Sequence, residues 1–319
     1  MFVEIRDYVE EFPTQTPKEE RAGLTAEVEE LKHQRKAVIL AHNYQLPEIQ
    51  DIADFIGDSL ELSRKAAATD AEVIIFCGVH FMAQTAKILS PGRLVLLPDI
   101  NAGCPMADMI TPDLLRRFRT PYPGLPVVAY VNTTAEVKAE VDICCTSANA
   151  VKVINSLEAD RLLFVPDRYL AHYVQRHTRK QVIGYKGFCP THALFTADMV
   201  LEAKAAHPQA LAMCHPECPP EVIDVADVVA STSGMVKVAA ERPETEFILA
   251  TEWGIGYRMA KENPEKRFYV FPEAACPNMK RITLPKVVAS LRESIGEIQI
   301  ASEVITRARQ AVERMLAIP

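Results

Sequence analysis

One local feature recurs three times along the chain. Cys104-Pro105, Cys189-Pro190 and Cys276-Pro277 lie 85 and 87 residues apart. Each follows a short apolar run, LVLLPDINAG, QVIGYKGF and RFYVFPEAA, so each sits just past the end of an expected strand. Even spacing of one feature points to an internal repeat. Two more spacings agree. His42 to Ser59, Tyr130 to Ser147 and Cys214 to Ser231 are each 17 residues, and from that serine to the terminal cysteine the steps are 45, 42 and 45. A chain repeated in this way is constrained to fold as several copies of one unit.

The unit can be read from its apolar runs. Short strands alternate with helical segments, the pattern of a parallel sheet covered on both faces. We read three αβα units at 36–122, 123–206 and 207–284, with a polar helical leader at 1–35 and a helical segment at 285–319 packed on the outside. The first unit opens on strand AVILAH, continues with a helix from PEIQDIADFI, the turn GDS and helix LELSRKAAA, and adds strands VIIFCG and LVLLP. The second carries PVVAYVN, DICC, LLFVP and QVIGY; the third ALAMCHPEC, DVVA, FILATE and RFYVF. The units are expected to face one another about a pseudo-threefold axis, around a central active site.

Composition narrows the partners. The net charge is −7, which disfavours nucleic acid, because neutralising phosphates needs clustered Lys and Arg. No apolar run approaches the roughly 18–20 residues that span a bilayer, so no membrane is expected. The N-terminus MFVEIRDYVEEF is acidic and has no signal-type apolar core, so a cytoplasmic location is expected. A disulfide scaffold is then not expected from the eight cysteines. Cys77, Cys144, Cys145 and Cys214 lie in strand-like runs and read as small buried hydrophobes.

Ligands in such units bind beyond the carboxyl ends of the strands. The first strands end in His42, Asn43 and Tyr44; in Tyr130 and Asn132; and in His215 and Glu217. Hydroxyls follow at helix starts: Ser59, Ser147, and Ser231 with Thr232. They suit N-caps, and a helix start with free N–H groups also holds anions such as carboxylate and phosphate. His215 and Glu217, two residues apart on one face, suit proton transfer. The three Cys-Pro thiols have two readings: packing turns, or soft ligands for an iron–sulfur cluster with one open iron as Lewis acid. Cys214-His215-Pro216-Glu217-Cys218 permits zinc, but no second Cys/His pair with finger-like spacing follows. No GxGxxG or Walker A loop is present, and Gly254-Ile255-Gly256 lacks the remaining glycine. Two other classes stay open: a non-catalytic three-domain binder of small dianions, and a zinc hydrolase on His215 and Glu217.

The strings AHNYQLPEIQDIADFIGDSLELSRKA, FCGVHFMAQTAKIL, YVNTTAEVKAEVDICCTSANAV, KGFCPTH, HPEC, STSGM, TEWGIGYRM and CPNMK together resemble the quinolinate synthase family, over about residues 36 to 290. The resemblance implies three homologous αβα units about a pseudo-threefold axis. It also implies a [4Fe–4S] cluster on Cys104, Cys189 and Cys276. The implied reaction is condensation of iminoaspartate with dihydroxyacetone phosphate to quinolinate, with loss of phosphate and water, for de novo NAD synthesis. L-aspartate oxidase would supply the imine. Substrate contacts would fall to His42, Tyr44, Ser59, Tyr130, Asn132, Ser147, His215, Glu217 and Thr232, with Ser231 alongside. Tyr44, Glu217 and His215 would be catalytic, and the open iron would assist dehydration. Two departures stand out. Gln84 occupies a place where the family has Glu, and the run CPNMKRI has no CxxCxxC string, so no disulfide switch is expected there.

Overall fold

The computed structural model describes residues 2–11 and 16–318. Positions 1 and 12–15 of the expected leader, and 319 of the C-terminal segment, lie outside the described residues. Strand β1 (Val3–Glu4) comes first. Then β2 (Ala37–His42), β3 (Phe55–Gly57), β4 (Val73–Cys77) and β5 (Leu94–Leu96) form a parallel sheet in the order β3-β2-β4-β5. A second parallel sheet holds β6 (Val127–Tyr130), β7 (Ile143–Cys145), β8 (Arg161–Val165) and β9 (Gln181–Gly184), ordered β7-β6-β8-β9. In the third, β10 (Leu211–Cys214), β11 (Val228–Val229), β12 (Glu246–Ala250) and β13 (Arg267–Val270) are parallel, and β1 is added antiparallel on β13.

The three sheets thus share one order: second, first, third, fourth strand of the unit. The first strand of each is an interior strand, which is why β2 and β6 are almost wholly buried runs of Val, Ile, Leu and Ala rather than alternating ones. Strand β3 differs from the sequence reading, in which Phe55 and Ile56 end a helix and Gly57 belongs to a turn. The helix is only Pro47–Asp51, and Phe55-Ile56-Gly57 pairs with Leu40-Ala41-His42.

The repeat also extends past each Cys-Pro. A threonine seven residues on, Thr111, Thr196 or Thr283, precedes the helices Pro112–Arg119, Ala197–Ala206 and Leu284–Glu293. Thr111 and Thr196 accept N-cap hydrogen bonds from Leu114 and Met199. Helix Leu284–Glu293 is therefore the third copy of a linking helix. It packs on helix Lys18–Arg35, and the Arg35 guanidinium donates to Leu291 O at 2.8 Å and Ser294 Oγ at 2.8 Å. The last helix, Ser302–Leu316, buries Ala308, Ala311, Val312 and Met315 against β7 and the helices Ala135–Lys138 and His80–Leu89.

Between the first two units, Gln84 is buried on helix His80–Leu89, and its Oε1 accepts from Ala135 N at 3.1 Å. It thereby satisfies a free amide at the start of helix Ala135–Lys138. Cys77, Cys144, Cys145, Cys214 and Cys218 are all fully buried. Cys214 and Cys218 sit in an apolar cluster with Phe195, Val222 and Phe271, so the local zinc reading of these two thiols does not hold.

Candidate active site

The carboxyl ends of the strands carry a repeated backbone turn. Tyr44 N donates to His42 Nδ1 at 3.2 Å, and Glu217 N donates to His215 Nδ1 at 3.3 Å. An accepting Nδ1 leaves the proton of a neutral imidazole on Nε2. Burial, against the pull of Glu217, pushes both histidines down to about 3, so both are neutral at physiological pH. The Nε2 of His215 meets Ser147 Oγ at 3.2 Å. In the middle unit a lysine does the fixing. Lys138, fully buried, donates to Val131 O at 2.7 Å and to Thr133 O, the carbonyls on either side of Asn132.

These turns line one cavity together with residues of all three units. His42, Tyr44 and Ser59 come from the first; Tyr130, Asn132 and Ser147 from the second; His215, Glu217 and Thr232 from the third. With the solvent at its mouth included, the space it encloses is about 890 Å³. Ser59 and Thr232 are the first residues of two ten-residue helices. Their caps are the preceding residues: Asp58, in a capping box with Glu61, and Ser231, whose Oγ accepts from Gly234 N at 3.2 Å. Ser231 is occupied by that role and is not on the cavity wall. Thr232 Oγ1 accepts from Asn43 Nδ2 at 2.8 Å. Asn132 Oδ1 is buried without a partner.

Sequence reasoning missed the residue at the centre. His192 Nδ1 lies 2.7 Å from Glu217 Oε2 and 3.2 Å from Cys189 Sγ. Its Nε2 lies 2.9 Å from Thr251 Oγ1 and 3.3 Å from the Tyr44 hydroxyl. Tyr44 and Thr251 hydroxyls are 2.5 Å apart. A carboxylate, an imidazole and two hydroxyls form one hydrogen-bonded chain. The available signal was the Cys-x-x-His spacing of Cys189 and His192, which puts both on one helical turn.

Burial and its neighbours leave opposite protonation states at the two ends of this chain. It raises Tyr44 well above the usual phenol range, so Tyr44 stays a phenol. Burial would also raise Glu217, but the imidazoles of His192 and His215 and hydrogen bonds from His192 and Tyr130 outweigh it and hold it near 2. Carboxylate at one end and phenol at the other is an arrangement for passing a proton.

The expected cofactor requires correction. Cys104, Cys189 and Cys276 do line the same cavity. Among the described residues, however, the metal-capable side chains whose ligand atoms lie within 4.8 Å of one another are Cys189, His192 and Glu217. The converging set is one thiol, one imidazole and one carboxylate, in place of three thiolates. The reason is local: the His192 ring stands against the Cys189 sulfur, and Glu217 stands against that ring. Burial also pushes the thiols toward the protonated form, Cys104 to about 12 and Cys189 and Cys276 upward. A [4Fe–4S] cluster on the three cysteines does not fit this donor set.

Parallel α/β units, a cavity at their strand ends and a buried carboxylate–imidazole–phenol chain define a small-molecule enzyme of the α/β class. Comparison with known proteins gives the family. The family model described as "Quinolinate synthetase A protein" matches residues 26–317. A quinolinate synthase of Dehalococcoides mccartyi is 57% identical over 296 residues, covering 92% of this chain and 98% of that protein. One from Methanoregula boonei is 53% identical over 301 residues, covering 94% and 100%; one from Thermodesulfovibrio yellowstonii is 52% identical over 294 residues, covering 92% and 97%. The chain belongs to the quinolinate synthase family and is an enzyme of NAD biosynthesis.

Proposed function

We propose that the cavity condenses iminoaspartate with dihydroxyacetone phosphate and closes the product to quinolinate, with loss of phosphate and water. The observation that carries this reading is the chain Tyr44–Thr251–His192–Glu217 within a cavity lined by three units. Condensation, isomerisation and dehydration each move protons between carbon and oxygen. Tyr44 donates to a substrate oxygen as a phenol and is reprotonated through His192. Glu217, ionised, draws a proton from the substrate through the same ring. Neutral His42 and His215, with Tyr130 and Asn132, would hydrogen-bond carboxylate and phosphate oxygens in this reading. The helix starts at Ser59 and Thr232 and the Ser147 hydroxyl complement those anions. Burial of the chain keeps water from a hydrolysable imine.

The reading includes the architecture. Units at 36–122, 123–206 and 207–284 would face one another about a pseudo-threefold axis, supported by their common strand order and shared cavity. An L-aspartate oxidase would supply the imine, in the cytoplasm where the phosphorylated substrate is available. The test is to supply dihydroxyacetone phosphate with imine generated in situ from aspartate and to quantify quinolinate. Wild type should form it, and Glu217→Gln should lose roughly 100-fold or more in turnover while folding normally. Absence of product from wild type with both substrates present would overturn the reading.

A further inference from the structure

The segment Thr251-Glu252-Trp253-Gly254, just beyond β12, meets the Tyr44 hydroxyl directly and its carbonyl through Lys280. Thr251 holds the Tyr44 hydroxyl at 2.5 Å. The Tyr44 carbonyl accepts from Lys280 Nζ at 2.7 Å. Lys280 Nζ in turn lies 2.9 Å from Glu252 Oε1 and 3.7 Å from the centre of the Trp253 ring. The Glu252 carboxylate, with no exposed surface, also accepts from Gly254 N at 2.8 Å and Cys276 N at 3.1 Å. Gly254 leaves the space: a Cβ there would come 2.8 Å from Lys280 Nζ, 2.9 Å from Gln45 O and 2.9 Å from Glu252 Oε2. Every close partner of the ammonium is thus a carboxylate, a carbonyl or an aromatic face.

We infer that Glu252 and Lys280 are positioning residues for the reaction, a buried ion pair that fixes the backbone of Tyr44 while Thr251 fixes its hydroxyl. Tyr44 belongs to the first unit, whereas Glu252 and Lys280 belong to the third. The pair therefore sets where a proton donor on one unit stands relative to the imidazole and carboxylate it must reach. A buried ion pair contributes little net stability, because desolvating two charges offsets their attraction. Its value here is geometric, since a displacement of about 1 Å in a reacting group costs on the order of 100-fold in rate. The same carboxylate grips Cys276 N, so the turn at Cys276 and the Tyr44 turn are set by one group.

This inference rests on the quinolinate synthase reading for its kinetic arm and on backbone dynamics for its other arm. Breaking only one partner leaves a buried charge and endangers the fold. The informative variant is therefore the double substitution Glu252→Gln with Lys280→Met, compared with Lys280→Arg, each with and without Tyr44→Phe. The double variant should keep a melting temperature close to wild type and KM within about threefold, and lose about tenfold or more in kcat. Tyr44→Phe should cost much less in that background than in wild type, because the two changes remove one function. Hydrogen exchange followed by mass spectrometry should show faster exchange in the double variant over the peptide containing Tyr44 and Gln45. Wild-type kcat in the double variant, an undiminished effect of Tyr44→Phe, or unchanged exchange at Tyr44 would overturn the inference. If wild type forms no quinolinate, the function reading fails, and the exchange result still decides this one.

Discussion

At the scale of residues, the site is a set of buried groups whose titration is moved away from its ordinary range. His42 and His215 give a pH prediction whose sign follows from burial. In the unfolded chain each titrates near 6.5, and in the folded protein only near 3. Between those values the unfolded state binds more protons, so stability falls as pH drops through about 6.5 toward 3. Glu217 acts in the same direction lower down. Its folded value near 2 lies below the ordinary 4.5, so its contribution is present above 4.5 and lost as pH falls toward 2. Calorimetric melting temperatures should decline below about pH 6.5, and His42→Asn and His215→Asn should each flatten the decline. A melting temperature level between about pH 7 and 5 would contradict this account. Those two histidines, with Tyr44, Tyr130 and Glu217, were legible because each lies at or just beyond the end of an apolar strand. His192, Thr251, Glu252 and Lys280 were not. Their importance comes from contacts between units, and no local pattern encodes that His192 and Glu217 will meet.

At the scale of elements, strands read from apolar runs were found even where the run was as short as Ile143–Cys145 or Val228–Val229. Strand β3 was lost to the sequence reading because IADFIG continues the apolar spacing of the preceding helix. Strand β1 is two residues long and forms only because β13 offers a free edge. Gln84 gives the prediction at this level. Its acceptor satisfies Ala135 N, so Gln84→Glu retains that role and should melt close to wild type. Gln84→Leu leaves a buried amide unpaired and should cost about 1–3 kcal/mol. Denaturant unfolding separates the two; equal midpoints would mean that the contact between these helices contributes nothing.

At the scale of the molecule, the two ends of the chain join the units. Helix Ser302–Leu316 lies against the first two units, and its Arg314 donates to Asp142 O at 2.8 Å. At the other end, the Arg6 guanidinium donates to the carbonyls of Ala260, Asn263, Pro264 and Lys266 at 3.0–3.4 Å, beside the pairing of β1 with β13. Removing residues 2–9 should lower the melting temperature and raise amide exchange along β13, measured on the intact remainder; unchanged protection of β13 would show that the edge is closed without them. Arg6 and Lys266 are separated by 260 positions. During synthesis the first strand therefore emerges long before its mate exists, and must stay unpaired while two sheets assemble behind it. At roughly 5–20 residues per second that wait is on the order of tens of seconds. The two-residue length of β1 then has a kinetic meaning: a longer apolar strand would be a sticky end throughout the delay, whereas this one is too short to pair wrongly and closes only when the last sheet arrives.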